Sequence, residues 1–240
     1  MNRSKPLRSL LTAAAGGDLK GSVILIVSPL LLITWWYFGS PRFYLDHLSS
    51  LFAPWLAPTA GAGVYTFLAC FVLLGMVPAL IVKLVFRENL ADYGVRLGNR
   101  VRTIRSFVLM APVMLIVALV ASRRPAFAAE YPLNRSAGTS AAMFGFHACT
   151  YMLFYLGWEF HFRGFVQHGL RSTVGAAHAV LIQVLASTMV HLGRPAAETY
   201  GALLVGLLWG LLAFRTRSLL SGLLQHALLG ISLDFFICFT

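Results

Sequence analysis

Four residues combine reactive chemistry with an unfavourable setting. Glu159, Arg163, His191 and His226 each end or interrupt a long apolar run. An ionisable group there costs about 2.5–3.5 kcal/mol on insertion scales, so by default it marks function. Glu159 and Arg163 stand four apart, which places them on one helical face where they can pair. His191 closes the run that ends Ser187-Thr188-Met189-Val190, and His226 sits well inside the last apolar run, after Gln225. Taken singly, the first pair reads as an orienting salt bridge and His191 as an ordinary boundary histidine. A midspan imidazole such as His226 needs a partner or a water-filled cavity. Together, a carboxylate and two imidazoles supply a general base, a proton shuttle and an electrostatic stabiliser. That set suits hydrolysis by activated water. The three side chains are expected to face a common cavity near the cytoplasmic side of the bilayer, with Arg163 bonded nearby.

The elements that must position them are membrane helices. Of 240 residues, 58% are hydrophobic and 11% charged, with a mean hydropathy of +0.77. A soluble domain carries about 25% charged residues, so most of this exterior must face lipid. Seven apolar segments stand out, at about 21–39, 63–86, 104–122, 140–160, 173–191, 199–214 and 218–240. Only helices satisfy the backbone of such runs in lipid. The fold expected is all-α, a polytopic transmembrane helical bundle of about seven spans (six to eight). Pro29, Pro78 and Pro112 are expected to kink three of them. A further segment, 44–55, has Asp46 and His47 in a short aromatic run and reads as an interfacial helix. Residues 1–20 form a basic tail, and 21–240 form one transmembrane domain with its reactive core at about 140–240.

Charge sets the orientation. With the spans so drawn, fourteen of the 19 Lys and Arg residues fall on the side of the N-terminus, including Arg163, and five fall on the other. Lys and Arg concentrate in cytoplasmic loops, so the N-terminus is expected in the cytoplasm and the C-terminus outside. The first apolar run has no small-residue cleavage site directly after it and reads as an anchor. The formal charge of +11 is then topological and touches lipid headgroups. No basic stretch is interleaved with base-stacking aromatics, so nucleic acid is not an expected partner. Cys70, Cys149 and Cys238 lie in apolar runs without metal-ligand spacing and read as small buried residues.

At the reactive positions the sequence resembles the CAAX protease and bacteriocin-processing (CPBP) family of intramembrane glutamic proteases. The family's Glu-Glu-x-x-x-Arg motif is similar to Trp158-Glu159-Phe160-His161-Phe162-Arg163-Gly164. Its Phe-x-x-x-His motif matches at His191, with Ser187 in the phenylalanine position. Its His-x-x-x-Asn motif matches at His226, with Gly230 in the asparagine position. The loop Asn89–Gly98 and the turn Arg215–Leu219 also look like those of the family. The resemblance implies an intramembrane endopeptidase acting on a membrane-associated peptide or protein, with Glu159, His191, His226 and Arg163 as its site. It implies a metal-free site without a cofactor, although Glu159, His191 and His226 offer a His₂Glu zinc set in principle. A bacterial inner (plasma) membrane is the expected location. Trp158 and Gly230 depart from the family's chemistry. Adjacent helix positions point about 100° apart, so Glu159 does not simply inherit the geometry of the missing carboxylate.

Those departures keep a second function open, a catalytically inactive relative that binds a partner as an immunity or assembly factor. The remaining polar features have plainer readings. His147, Tyr151, Tyr155 and Glu159 recur every four residues and read as a helix interface. Gly206 and Gly210 form a Gly-x-x-x-Gly packing motif. His161 and His168 are expected in a solvated turn and Asp234 near the outer interface, while Asn134-Arg135-Ser136 matches a glycosylation sequon on the outer side, a pattern frequent by chance.

Overall fold

The computed structural model describes residues 18–54 and 57–240. The expected basic tail lies almost wholly outside the described residues, as does Trp55 of the interfacial segment. No strand occurs among the described residues.

The first span, α1 (Leu19–Phe38), starts where the Asp18 carboxylate accepts the Gly21 amide at 2.9 Å. Two short helices follow, α2 (Pro41–His47) and α3 (Ser49–Phe52), where the interfacial segment was expected. The second span, α4 (Pro58–Val85), carries π turns at Phe71–Met76 and Ile81–Val85 on either side of Pro78. Next come α5 (Arg100–Ser122), capped by Asn99, and the short α6 (Pro125–Glu130). Ser140 caps α7 (Ala141–Glu159), which passes through a π segment (Phe160–His168) into α8 (Gly169–Met189). Two more spans, α9 (Ala196–Thr216) and α10 (Leu220–Phe239), complete the chain.

Among the described residues, six helices are long and apolar enough to cross a membrane, one of them continuous from Ala141 to Met189 over 49 residues. A straight helix of that length would measure about 74 Å, more than twice a hydrocarbon core of about 30 Å. Gly175 resolves this: at φ 78° and ψ 164° it leaves helical geometry and folds the run into two arms. The bundle therefore has seven arms. The fourth does not end near Phe160, as expected, but continues to Gly175. Its polar residues are paired inside the protein: Gln167 donates to Gly210 O at 2.9 Å, and His161 Nε2 meets Ser28 Oγ at 2.8 Å. Arg163, His161 and His168 thus lie in the bundle and not in a basic, solvated turn. His168 Nδ1 donates to Arg163 O at 2.6 Å.

The outer surface is apolar. Ile104, Val108, Leu109 and Ile116 of α5 are all exposed, as lipid contact requires. Cys149, expected to be buried, also faces outward, whereas Cys70 is buried. The core is aromatic, with Trp35, Phe67, Phe154, Trp158 and Phe162 packed together.

At one end of the bundle the loops 89–98 and 215–219 lock together. Leu219 N donates to Gly94 O at 3.0 Å, Asn99 N to Thr216 O at 2.8 Å, and Arg96 Nε to Arg217 O at 2.9 Å. Gly94 and Gly98 both have positive φ there, and a Cβ on Gly98 would strike the Thr216 carbonyl. At the opposite end, Tyr65 Oη donates to Phe38 O at 2.6 Å, and Thr59 and Ser136 hydroxyls meet at 2.8 Å. Asn134 is fully buried beneath Gly63, so the sequon is closed to glycosylation.

Candidate functional site

Glu159 is 1% exposed at the junction of α7 and the π segment. Its Oε1 accepts a hydrogen bond from His226 Nδ1 at 2.9 Å and lies 3.4 Å from the Arg163 guanidinium. Its Oε2 has no hydrogen-bond partner. Space for that oxygen comes from Gly222 on α10, where a Cβ would stand 2.7 Å from it. Arg163 is also buried, and its guanidinium lies over the Trp209 ring at 5.5 Å.

His226 is held from three sides. Its ring lies between those of Tyr155 (4.8 Å) and Trp209 (4.7 Å), while Glu159 fixes Nδ1. Trp209 is itself fixed, since its Nε1 donates to Gln225 Oε1 at 3.0 Å. With Nδ1 donating to the carboxylate, Nε2 of a neutral ring carries the lone pair. His226, Trp158 and His191 all line one cavity of about 550 Å³, together with Trp35, Tyr151 and Phe154.

His191 follows α8 in a short loop. Its Nδ1 donates to Ser187 O at 2.6 Å, and its Nε2 stands 4.0 Å from Glu198 Oε1. Burial pushes this imidazole down to about 4, despite the opposing effect of the Ser187 bond, so it is neutral near pH 7 with a free lone pair on Nε2. Its ring meets Trp158 edge-on at 5.6 Å. The Gly175 fold makes this meeting happen. The α7–π arm runs away from Trp158 to Gly175, and the second arm returns to His191.

Three of the four expected site residues, Glu159, Arg163 and His226, are therefore in direct contact. The fourth, His191, shares with His226 the cavity that Trp158 also lines. The expected common cavity is met by the two histidines alone, since Glu159 and Arg163 are buried behind His226 and do not line it. The end at which the cavity opens also differs from expectation. Its walls include Ser40, Arg42 and Asp46 beyond α1 and Arg194 between α8 and α9, which all lie at the end opposite the interlocked loops. The expected opening at the basic end, by the 89–98 and 215–219 loops, is thus corrected. The sequence misplaced it because it drew the fourth and fifth spans on the wrong boundaries.

Both family departures have structural counterparts. Trp158 fills the cavity wall, stacked on Phe154 at 5.2 Å, while Glu159 points away toward α9 and α10. At Gly230 a Cβ would collide with the Tyr155 hydroxyl, so that hydroxyl occupies the space a side chain there would use. Gly222 and Tyr155 were not singled out as parts of the site. The amide ties were also missed: Gln183 donates to Gly206 O at 3.0 Å, as Gln167 does to Gly210 O. The Gly206/Gly210 motif is the packing seam expected. His147, Tyr151 and Tyr155 are likewise buried in a helix interface. Asp234 does not reach the outer interface. It is fully buried and accepts from His147 Nε2 at 2.8 Å.

Among the described residues, no three His, Cys, Asp or Glu side chains group as a metal-binding set. Residues 134–231 match the family described as Type II CAAX prenyl endopeptidase Rce1-like. The core thus resembles that family over less than half of the chain. The matched segment of the Rce1-like core contains Glu159, Arg163, His191 and His226. The similarity supports the kind of function of a CAAX-type intramembrane protease. No curated protein and no solved structure matched the chain.

Proposed function

We propose that the protein is an intramembrane endopeptidase that hydrolyses a membrane-associated peptide or protein with water activated at Glu159 and His226. One observation carries this reading: a buried carboxylate bonded to an imidazole that itself lines a cavity. His226 Nε2 takes a proton from water as the oxygen attacks the scissile carbonyl. Glu159 holds the ring through Nδ1 and stabilises the imidazolium. The same proton then passes to the leaving amine as the C–N bond breaks. Arg163 lies 3.4 Å from the Glu159 carboxylate in a dry place, where a buried charge without a partner is costly. His191 Nε2, a neutral acceptor on the cavity wall, orients the water or the peptide. The chain's bacterial inner-membrane location and cytoplasmic N-terminus are part of the same proposal, resting on its charge asymmetry.

A second reading has its own support. Trp158 fills the place of the carboxylate that the resemblance calls for, and a cavity walled by aromatics also suits a binding or immunity factor. Glu159→Gln separates the two. The amide keeps the shape of the site but cannot stabilise the imidazolium, so an enzyme should lose about 10²–10⁴-fold in rate. Full biological function in that variant would establish the binding role and overturn the enzyme.

A further inference from the structure

We infer that the cavity is entered from the non-cytoplasmic face and that its substrate is the extracytoplasmic juxtamembrane peptide of a membrane-anchored protein. The substrate half of this inference rests on the peptidase reading above.

Two independent features fix the direction of entry. The first is where the mouth lies. Arg42 and Asp46 at the cavity rim belong to α2, and their side chains are well exposed. Arg194, at the turn between α8 and α9, pairs with Glu130 at the same end. The end opposite carries Arg87, Arg96, Arg100, Arg102, Arg215 and Arg217, with Lys20 and Lys83 nearby. The positive-inside rule assigns that richer end to the cytoplasm, which puts the mouth outside. Moving Arg163 into the bundle, as the structure requires, leaves this imbalance intact.

The second feature is a plug. Every residue from Phe160 to Gln167 is buried, with Phe162, Phe165 and Gln167 at 0% exposure. This stretch stands between Glu159 and the basic end, and the interlocked 89–98 and 215–219 loops lie across that end beneath it. The Gly206 and Gly210 seam then closes α9 onto the plug, since a Cβ at Gly210 would stand 2.8 Å from Gln167 and from Gln183. Water and peptide from the cytoplasm meet packed protein before they meet the carboxylate.

The mouth also indicates what enters. Trp36 and Tyr37 are exposed beside it, and α2 and α3 lie there with Leu45, Leu51 and Phe52 outward. Amphipathic aromatic side chains of this kind sit at the headgroup level. A cavity of about 550 Å³ takes a short extended stretch of chain and not a folded domain. A peptide emerging from its own anchor at the outer headgroup level meets both conditions. A C-terminus modified in the cytoplasm would arrive at the plugged end.

The test begins with accessibility, which needs no activity. In a chain with Cys70, Cys149 and Cys238 replaced by Ser, single variants Arg42→Cys, Leu133→Cys and Arg102→Cys are exposed to a membrane-impermeant maleimide. Bacterial cells with a permeabilised outer layer and inverted inner-membrane vesicles are compared. Arg42→Cys at the rim and Leu133→Cys in the wall should react in cells, and Arg102→Cys only in vesicles. The reverse pattern overturns the inference whatever the protein's activity, and exposed Arg42 and Arg102 decide it even if Leu133→Cys fails to fold. New peptide termini are then profiled in membranes of the native host carrying wild type or Glu159→Gln. Termini lost in the variant should map to non-cytoplasmic juxtamembrane segments. Loss confined to cytoplasmic segments overturns the inference and leaves the peptidase standing. Unchanged termini overturn the peptidase, and the substrate half with it, while the labelling still decides the direction of entry.

Discussion

Gly222 lies against Glu159 so closely that a Cβ on the glycine would stand 2.7 Å from the free carboxylate oxygen. The absence of a side chain on α10 is thus part of the site, because it lets a buried carboxylate sit between His226 and Arg163. Gly222→Ala should push the carboxylate off His226 Nδ1. A displacement of about 1 Å costs on the order of 10²-fold in rate, while the helix itself gains a better former. Cleavage assays and thermal unfolding in detergent would show activity lost with stability nearly kept. Full activity in Gly222→Ala would mean that Glu159 does not work from its observed position.

Trp158→Glu restores the carboxylate of the related motif but removes a ring packed on Trp35, Phe154 and Phe162. Loss of a buried tryptophan costs about 3–5 kcal/mol. The new group would project about 100° from Glu159, away from His226. The expected outcome is a lower unfolding temperature without a gain in rate. A faster enzyme of unchanged stability would show that the cavity wall retains a place for that acid.

His191 titrates far below an ordinary histidine because burial disfavours its charged form. The unfolded chain, with a pKa near 6.5, then binds more protons than the folded one between pH 6.5 and about 4. The stability this residue contributes is complete above pH 6.5 and is lost as pH falls through that window. His191→Gln lacks this dependence. The difference in unfolding temperature between wild type and His191→Gln should therefore be constant above pH 6.5 and shift against wild type toward pH 4. A flat difference across the window would show that His191 is not desolvated.

His147 and Asp234 form a fully buried pair that does not line the cavity. Asp234→Ala leaves His147 unpaired and should cost about 3–5 kcal/mol, whereas replacing both residues by Leu should restore much of the loss. Thermal unfolding of the single and double variants measures both effects. Cleavage that fails in the double variant at restored stability would give the pair a role in the reaction.

The spans were legible because apolar runs of about twenty residues admit one backbone solution in lipid. Glu159, Arg163 and His226 were legible for the opposite reason, as ionisable groups where they are costly. The stretch from Phe160 to Gly175 was not. Its His161, Gln167 and His168 lower the hydropathy as a loop would, and sequence does not reveal that Ser28, the Gly210 carbonyl and the Arg163 carbonyl receive them. The contribution of Gly222 is empty space, which leaves no mark in the residue itself. The side of the opening was misread because it depends on where one arm turns, and a lone glycine within an apolar run does not announce a reversal.

That reversal sets a rule on length. Sixteen residues lead from Glu159 to Gly175 and sixteen more to His191, so the two arms are matched like the legs of a caliper. One residue added to either arm rotates everything beyond it by about 100° and advances it by about 1.5 Å, which would carry the His191 ring off Trp158. Related chains that keep this site should therefore vary freely in the loops beyond α1 and α6. Between Glu159 and His191 they should hold their length, or change both legs together.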